Sequence, residues 1–149
     1  MKSLVLSLGL LAVLVPGLAY AEKVKLEIDV VEASTQGKAL DPRLKHMEQD
    51  FKKKGFAYSS YKLVAHQQPT LELKSTASVP LPGGKTAQLT PTSISPGPKG
   101  AKLINMHVNI PSLENLDYSV GNNGTNFLGV GHGSDKNSQI FLVIKHTAL

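Results

Sequence analysis

The sequence predicts a mainly β, α+β fold: an antiparallel β-sandwich or open barrel with one amphipathic helix packed on it after the first strand. Three observations support this prediction. Lys23 to Glu32 alternates apolar and polar side chains, as a strand with one buried face does. Asp41 to Phe56 carries the signals of a single helix. From Leu71 onward, short β-type segments are separated by turns rich in proline and glycine, with no second helix signal.

The predicted helix has a start, an apolar stripe and an end. Asp41 is suited to accept the free amide hydrogens of the first turn, and Pro42 has a backbone angle that fits the first helical position. Gly55 can take the left-handed conformation that ends a helix. Between them, apolar residues recur at spacings of three and four, namely Leu44, Met47 and Phe51. The stripe therefore needs an apolar surface to cover, which the strands can supply.

The segment after the helix, Phe56 to Gln67, is predicted to be a strand of ambiguous facing. Its order of strand, helix and strand permits a right-handed parallel unit between the first two strands. Leu71 to Thr90 is predicted to form a hairpin, and Pro91 to Gly100 an exposed loop, because it holds three prolines and two glycines. The run Ile140 to Ile144, IFLVI, has no alternation, which predicts a strand buried on both faces.

Residues 1–21 have the pattern of a secretory signal peptide. A basic start at Lys2 precedes an apolar run from Leu4 to Val15, and Ala19 and Ala21 provide the small residues of a cleavage site. The run is shorter than the roughly 20 residues that span a bilayer, and no second run of membrane length follows. We expect a secreted or periplasmic protein in which residues 22–149 form a single β-rich domain with no transmembrane segment after cleavage.

Composition limits the partners and cofactors of this domain. The chain has no cysteine, so its stability depends on packing and backbone pairing rather than on disulfides. The formal net charge of +5 falls to +4 when Lys2 is removed, and the positive charges are spread along the chain. Nucleic-acid binding usually requires clustered Lys and Arg with aromatic residues between them, so no nucleic-acid partner is expected. No sequence motif indicates a cofactor.

The candidate site residues are His132, Ser134 and Asp135, which lie together in the glycine-rich segment Gly129 to Asn137. Loops of this kind often carry ligand-binding groups. A catalytic triad requires a base held against the nucleophile, and three close neighbours on one turn rarely achieve that geometry. The GxSxG motif is absent, and the five histidines form no metal-binding motif such as HExxH, although residues of one strand face could still converge on a metal.

Four segments carry a resemblance to other proteins: LDPRL at Leu40 to Leu44, FAYSSYKL at Phe56 to Leu63, PLPGGK at Pro80 to Lys85, and FLGVG at Phe127 to Gly131. In this order they resemble a loosely defined group of small exported bacterial proteins of unknown function. The resemblance implies export and a β-rich single domain, and it transfers no site residue.

Two functional hypotheses follow from the sequence. The first is an exported, non-catalytic binding or assembly module of the cell envelope or periplasm, with a protein or glycan partner. The alternative is a small exported hydrolase or metal-dependent enzyme that uses the Gly129 to Asn137 loop. The absence of an organised reactive constellation favours the first hypothesis.

Overall fold

A computed structural model describes residues 22–110 and 115–149. The predicted signal peptide lies outside the described residues. The strands are β1 (Lys23–Ser34), β2 (Ser60–Gln67), β3 (Thr70–Glu72), β4 (Ala77–Leu81), β5 (Lys85–Pro96), β6 (Lys102–Asn109), β7 (Leu116–Gly121), β8 (Thr125–His132) and β9 (Ser138–Ala148). A 3₁₀ helix (Pro42–Met47) runs directly into α1 (Glu48–Lys53), and a short 3₁₀ turn spans Pro98–Gly100.

The strands form two antiparallel sheets, and the predicted mainly β sandwich with one helix after the first strand is confirmed. The first sheet has the order β2-β1-β9-β8, and β3 also pairs with β1. The second sheet has the order β4-β5-β6-β7. Their inner faces share one hydrophobic core, in which the fully enclosed side chains include Leu26, Ile28, Leu89, Ile104, Leu142 and Ile144.

The outer face of the first sheet carries a second, smaller core under the helical segment. Its buried residues are Val31, Leu44, Met47, Phe51 and Val143. β1 reaches both cores because successive side chains point to opposite faces of the sheet and both faces are covered, so Val30 joins the core between the sheets and Val31 the core under the helical segment. The register of β1 with β2 shifts between Val30 and Val31, where the extra residue of the bulge, Val64, belongs to β2.

The helical segment keeps the predicted stripe and start but differs in form. Asp41 accepts a hydrogen bond from the Arg43 amide at 3.0 Å, as an N-cap residue does. The first turns are 3₁₀ rather than α, and α1 ends at Lys53, just before the predicted stop at Gly55. Gly55 has a φ of 66°, in the left-handed region predicted for it.

The parallel unit between the first two strands is wrong, because β1 and β2 are antiparallel. Ser34, which ends β1, pairs with Ser60, which begins β2. The intervening segment is held back beside β2 by two hydrogen bonds: Tyr61 N donates to Ala39 O and Asp41 N donates to Tyr61 O, each at 2.9 Å. The helical segment therefore leaves and returns at the same end of the sheet, which an antiparallel pair requires.

The predicted loop from Pro91 to Gly100 is also wrong, because β5 continues through Pro96. β4 pairs with β5 only as far as Leu89, so Pro91 has no ladder neighbour on that side. The register with β6 shifts between Pro91 and Ser93, and proline is tolerated at such a bulge because it has no N–H to donate. The predicted hairpin is present in a shorter form, β4 with β5, while β3 pairs with β1 instead.

The run Ile140 to Ile144 is buried in β9, between β1 and β8, which confirms the predicted central position. Within residues 22–110 and 115–149, no helix has both the length and the apolar character needed to cross a bilayer.

Candidate functional site

The sequence-predicted site residues lie at the connection from β8 to β9, and all three are exposed. His132 ends β8 opposite Gln139, and Ser134 and Asp135 follow in the turn. The structure gives no hydrogen bond or ion pair between His132 and any residue it describes. These residues are close in sequence, but no bond links His132 with Ser134 or with Asp135.

Ser134 is instead bonded to a carboxylate on β1. Its amide and its hydroxyl both donate to Glu32 Oε1, at 2.7 and 2.6 Å. These two hydrogen bonds stabilise the charged carboxylate and lower the pKa of Glu32. Asp135 Oδ1 accepts from the Asn137 amide at 2.7 Å, which closes a local turn. The two hydrogen bonds from Ser134 to Glu32 therefore hold the β8–β9 connection against β1.

A polar groove of about 760 Å³ lies elsewhere, on the outer face of the first sheet beside the helical segment. Two neighbouring rows of strand residues form its floor. One row runs from His66 on β2 through Asp29 on β1 to Val143 on β9, and the next runs from Glu27 through Lys145 to Thr125 on β8. Arg43, His46 and Asp50 of the helical segment line the side of the groove.

Asp29 and His66 form the central feature of this groove. They face each other across the β1–β2 ladder, and His66 Nδ1 lies 2.5 Å from Asp29 Oδ1. The Asp29 side chain is only 10% exposed, whereas that of His66 is 46% exposed. No hydrogen bond from a described residue reaches the second oxygen, Oδ2. It is not fully enclosed, because no fully buried side-chain oxygen or nitrogen lacks a partner in the described parts of the chain.

The cationic side chains of the groove already have carboxylate partners. Arg43 is bonded to Asp41, with Nε at 3.0 Å and one terminal nitrogen at 2.8 Å, and this pairing lowers the pKa of Asp41. Lys145 Nζ lies 3.8 Å from Glu27 Oε2. Asp50 has no ion-pair partner among the residues described, and no hydrogen bond joins it to His46. Asp29 and Asp50 are therefore not matched by lysine or arginine.

A second histidine–aspartate pair provides an internal comparison on the outer face of the second sheet. His107 Nδ1 lies 2.6 Å from Asp117 Oδ1, across the β6–β7 ladder. The Asp117 side chain is 81% exposed, so water can solvate its carboxylate. The two pairs share their geometry and differ in the burial of the carboxylate.

The described segments contain no set of side chains arranged to bind a metal ion. No group of three or more His, Cys, Asp or Glu side chains there is arranged to hold an ion. The polar groups of the groove can instead act as hydrogen-bond donors and acceptors to an organic ligand.

Sequence reasoning missed the groove for a specific reason. The alternation of Lys23 to Glu32 places Asp29 on the polar side of the first strand, and the facing of the segment that contains His66 is ambiguous from sequence. One signal in the sequence did point to a groove, namely the single amphipathic helix. Its apolar stripe must pack on a face of the sheet, and a groove can form where the helix borders the uncovered part of that face.

The chain matches no family model, no curated protein and no solved structure.

Proposed function

We propose that the protein is an exported, non-catalytic binding module of the cell envelope or periplasm, and that it holds a polar part of a glycan or protein partner in the groove. The observation that supports this proposal most directly is the nearly buried carboxylate of Asp29 on the groove floor. Its position on β1, between β2 and β9, fixes the backbone beneath it.

The size and lining of the groove suit binding. Its volume of about 760 Å³ lies within the roughly 300–1,000 Å³ typical of ligand sites. Gln68, Asn123 and Thr125 add amide and hydroxyl groups to the charged side chains. These groups can donate and accept hydrogen bonds in fixed directions, which supports selection of a polar ligand.

Catalysis by the Gly129 to Asn137 loop has less support. A serine nucleophile needs its hydroxyl bonded to a base, and the Ser134 hydroxyl donates to Glu32 rather than to His132. The hydrolase alternative would therefore require this bond to break before reaction.

The proposal is tested by mapping ligand binding on the purified protein. Amide chemical shifts are recorded while glycans and short peptides are titrated in, and perturbations are expected to centre on Asp29, His66 and Thr125. Thr125→Trp places a large side chain in the groove and should weaken any binding at least tenfold. Thr86→Trp, at an exposed position on β5, is the matched control and should leave binding unchanged.

Perturbations centred on His132, Ser134 and Asp135, or on the outer face of the second sheet, would overturn the assignment of the groove. Steady turnover of an ester or glycoside that is lost in Ser134→Ala would overturn the non-catalytic part of the proposal.

A further inference from the structure

We propose that the groove binds its ligand through a primary ammonium group that sits on Asp29 Oδ2. This inference rests on the proposed binding function and names the chemistry of its ligand. It is motivated by the unequal use of the two Asp29 carboxylate oxygens.

The Asp29 side chain is nearly buried, but a hydrogen bond from a described residue reaches only one of its two carboxylate oxygens. Oδ1 is bonded to His66 Nδ1 at 2.5 Å, while no hydrogen bond from residues 22–110 or 115–149 reaches Oδ2, which is not fully enclosed, and Asp29 lines the groove. Burial of a carboxylate is costly unless its charge is balanced and its oxygens are hydrogen-bonded. Asp117 has the same kind of histidine partner, but its side chain is 81% exposed, so water can donate the hydrogen bonds that its carboxylate does not receive from the protein. At Asp29 a ligand can supply the missing donor.

The charges around Asp29 favour a cationic donor. Glu27 lies two residues away on the same face of β1, about 7 Å along the strand, but its charge is paired with that of Lys145. Asp50, which lines the side of the groove, has no ion-pair partner among the described residues. The arginine and the lysine that line the groove are already paired, Arg43 with Asp41 and Lys145 with Glu27. The groove therefore presents unmatched negative charge on a chain whose formal net charge is +5. A positively charged ligand complements this field.

Among cations, an ammonium group fits better than a metal ion. The described residues offer no cluster of three His, Asp or Glu ligands for a metal. An ammonium group has three donors and needs no fixed coordination geometry, so one can reach Oδ2 while the others bind water or another groove acceptor such as the side-chain oxygen of Gln68.

The same ammonium chemistry can come from a diamine, an amino sugar or a lysine side chain. The test therefore uses three matched pairs in calorimetric titrations at low salt: cadaverine with 1,5-pentanediol, glucosamine with glucose, and N-acetyl-lysine amide with N-acetyl-norleucine amide. At least one ammonium compound should bind about tenfold more tightly than its neutral partner, because hydrogen bonds between charged groups are stronger than those between neutral groups. The pair with the largest ratio identifies the source.

Two variants examine the contact itself. Asp29→Asn keeps the size of the side chain and removes its charge, so the ammonium compound should lose about tenfold in affinity. His66→Arg supplies an internal cation opposite Asp29 and should also remove the preference for the ammonium compound, even if Asp29→Asn folds poorly. Asp117→Asn is the matched control and should leave the affinity unchanged.

Equal affinity for the charged and neutral members of every pair would overturn this inference and leave the proposed groove intact. Ammonium binding that Asp117→Asn abolishes and Asp29→Asn does not would place the site on the other sheet. If no ammonium compound binds at millimolar concentration while neutral glycans or peptides do, the ligand chemistry is wrong but the binding module stands. If nothing perturbs the groove, both proposals fail.

Discussion

The imidazole of His146 is fully enclosed between the two sheets. Its Nδ1 lies 3.0 Å from Gly124 O, to which it can donate, and its Nε2 lies 2.7 Å from the Tyr118 hydroxyl, from which it can accept. Both bonds are compatible with the neutral ring. Burial lowers the pKa of His146, because the charged form would lose its hydration inside the sandwich.

We expect this residue to make the protein less stable at mildly acidic pH. The folded-state pKa of His146 lies below the ordinary value of 6.5, so the unfolded chain binds the proton more readily. The free energy of unfolding should therefore fall as the pH drops below about 6.5. Glu32 and Asp41, whose pKa values are also lowered, cause further loss only at more acidic pH.

Urea denaturation at pH 7.5, 6.5 and 5.5 measures this effect. His146→Gln should flatten the dependence over this range, because the variant has no titrating group at that position. An unchanged urea midpoint in the wild-type protein between pH 7.5 and 5.5 would contradict the expectation.

Gly133 is required by a close approach between the β8–β9 turn and β1. A Cβ atom there would meet Ser138 Oγ and would lie 2.6 Å from Glu32 Oε1. Gly133→Ala should therefore reduce the free energy of unfolding by about 1–3 kcal/mol, as overpacking does, measured by urea denaturation. Gly121→Ala is the control: a Cβ at that position meets nothing within 4 Å, so a clash cannot destabilise it. Equal losses in both variants would count against the steric explanation.

At the scale of single residues, sequence reasoning located the exposed histidine His132 and its neighbours but not the pair formed by Asp29 and His66. Alternation assigns side chains to the two faces of a strand, and it does not say what covers the outer face. The partner of Asp29 depends on which strands are adjacent and in what register. That information comes from pairing between segments far apart in the chain.

The helical segment depends on its contacts with the sheet more than on its own length. α1 has six residues, and isolated helices shorter than about 12–15 residues are marginal in water. Phe51 is 3% exposed, stacks on the ring of Tyr61 with centroids 4.1 Å apart, and meets Phe127 edge-on at 5.9 Å. Tertiary packing of this ring fastens the segment to the outer face.

Replacing Phe51 should loosen this element. Phe51→Ala is expected to cost about 3–5 kcal/mol of unfolding free energy, because it leaves a cavity among buried side chains. Since the segment lines the groove, ligand affinity should fall as well. Val64→Ala, at a side chain that is 41% exposed, should change stability by less than about 0.5 kcal/mol. A small loss in both variants, measured by urea denaturation, would show that the segment does not depend on this aromatic cluster.

The helical segment also shows which features of an element can be predicted from sequence. The cap at Asp41, the stripe of Leu44, Met47 and Phe51, and the left-handed Gly55 are local, and all three were predicted. The direction of β2 was not, because Tyr61 holds the start of the segment through backbone hydrogen bonds that no side-chain pattern records. Likewise, Pro91 can lie in a strand because it is beyond the end of the β4–β5 ladder, so its missing N–H costs no hydrogen bond to β4.

At the scale of the whole molecule, the sandwich architecture was predicted from composition and alternation, whereas the strand order was not. The uninterrupted apolar run in β9 placed that strand centrally, and the structure adds its partners, β1 and β8. Neither partner could be chosen from the sequence, because several strands offer a suitable apolar face.

Export predicts a defined processed form of the protein. If residues 1–21 act as a signal peptide, the protein recovered from the exported fraction of a bacterial host should begin at Glu22. Intact-mass spectrometry of that fraction measures this directly. Ala21→Pro should block processing and leave the full-length chain, whereas Ser3→Ala should not. A full-length chain found only in the cytoplasmic fraction of the wild type would refute the proposed localisation.

The pairing of β1 with β9 extends from Val24 opposite Ala148 to Ser34 opposite Ser138, and every pair in it joins residues more than a hundred positions apart. Such non-local pairing carries a large loop-closure cost and slows folding. The two cores both contain side chains of β1 and β9, so neither core can be completed until the last strand is available. A nascent chain would thus lack its central ladder until β9 has been synthesised, and its native packing would have to wait for that strand.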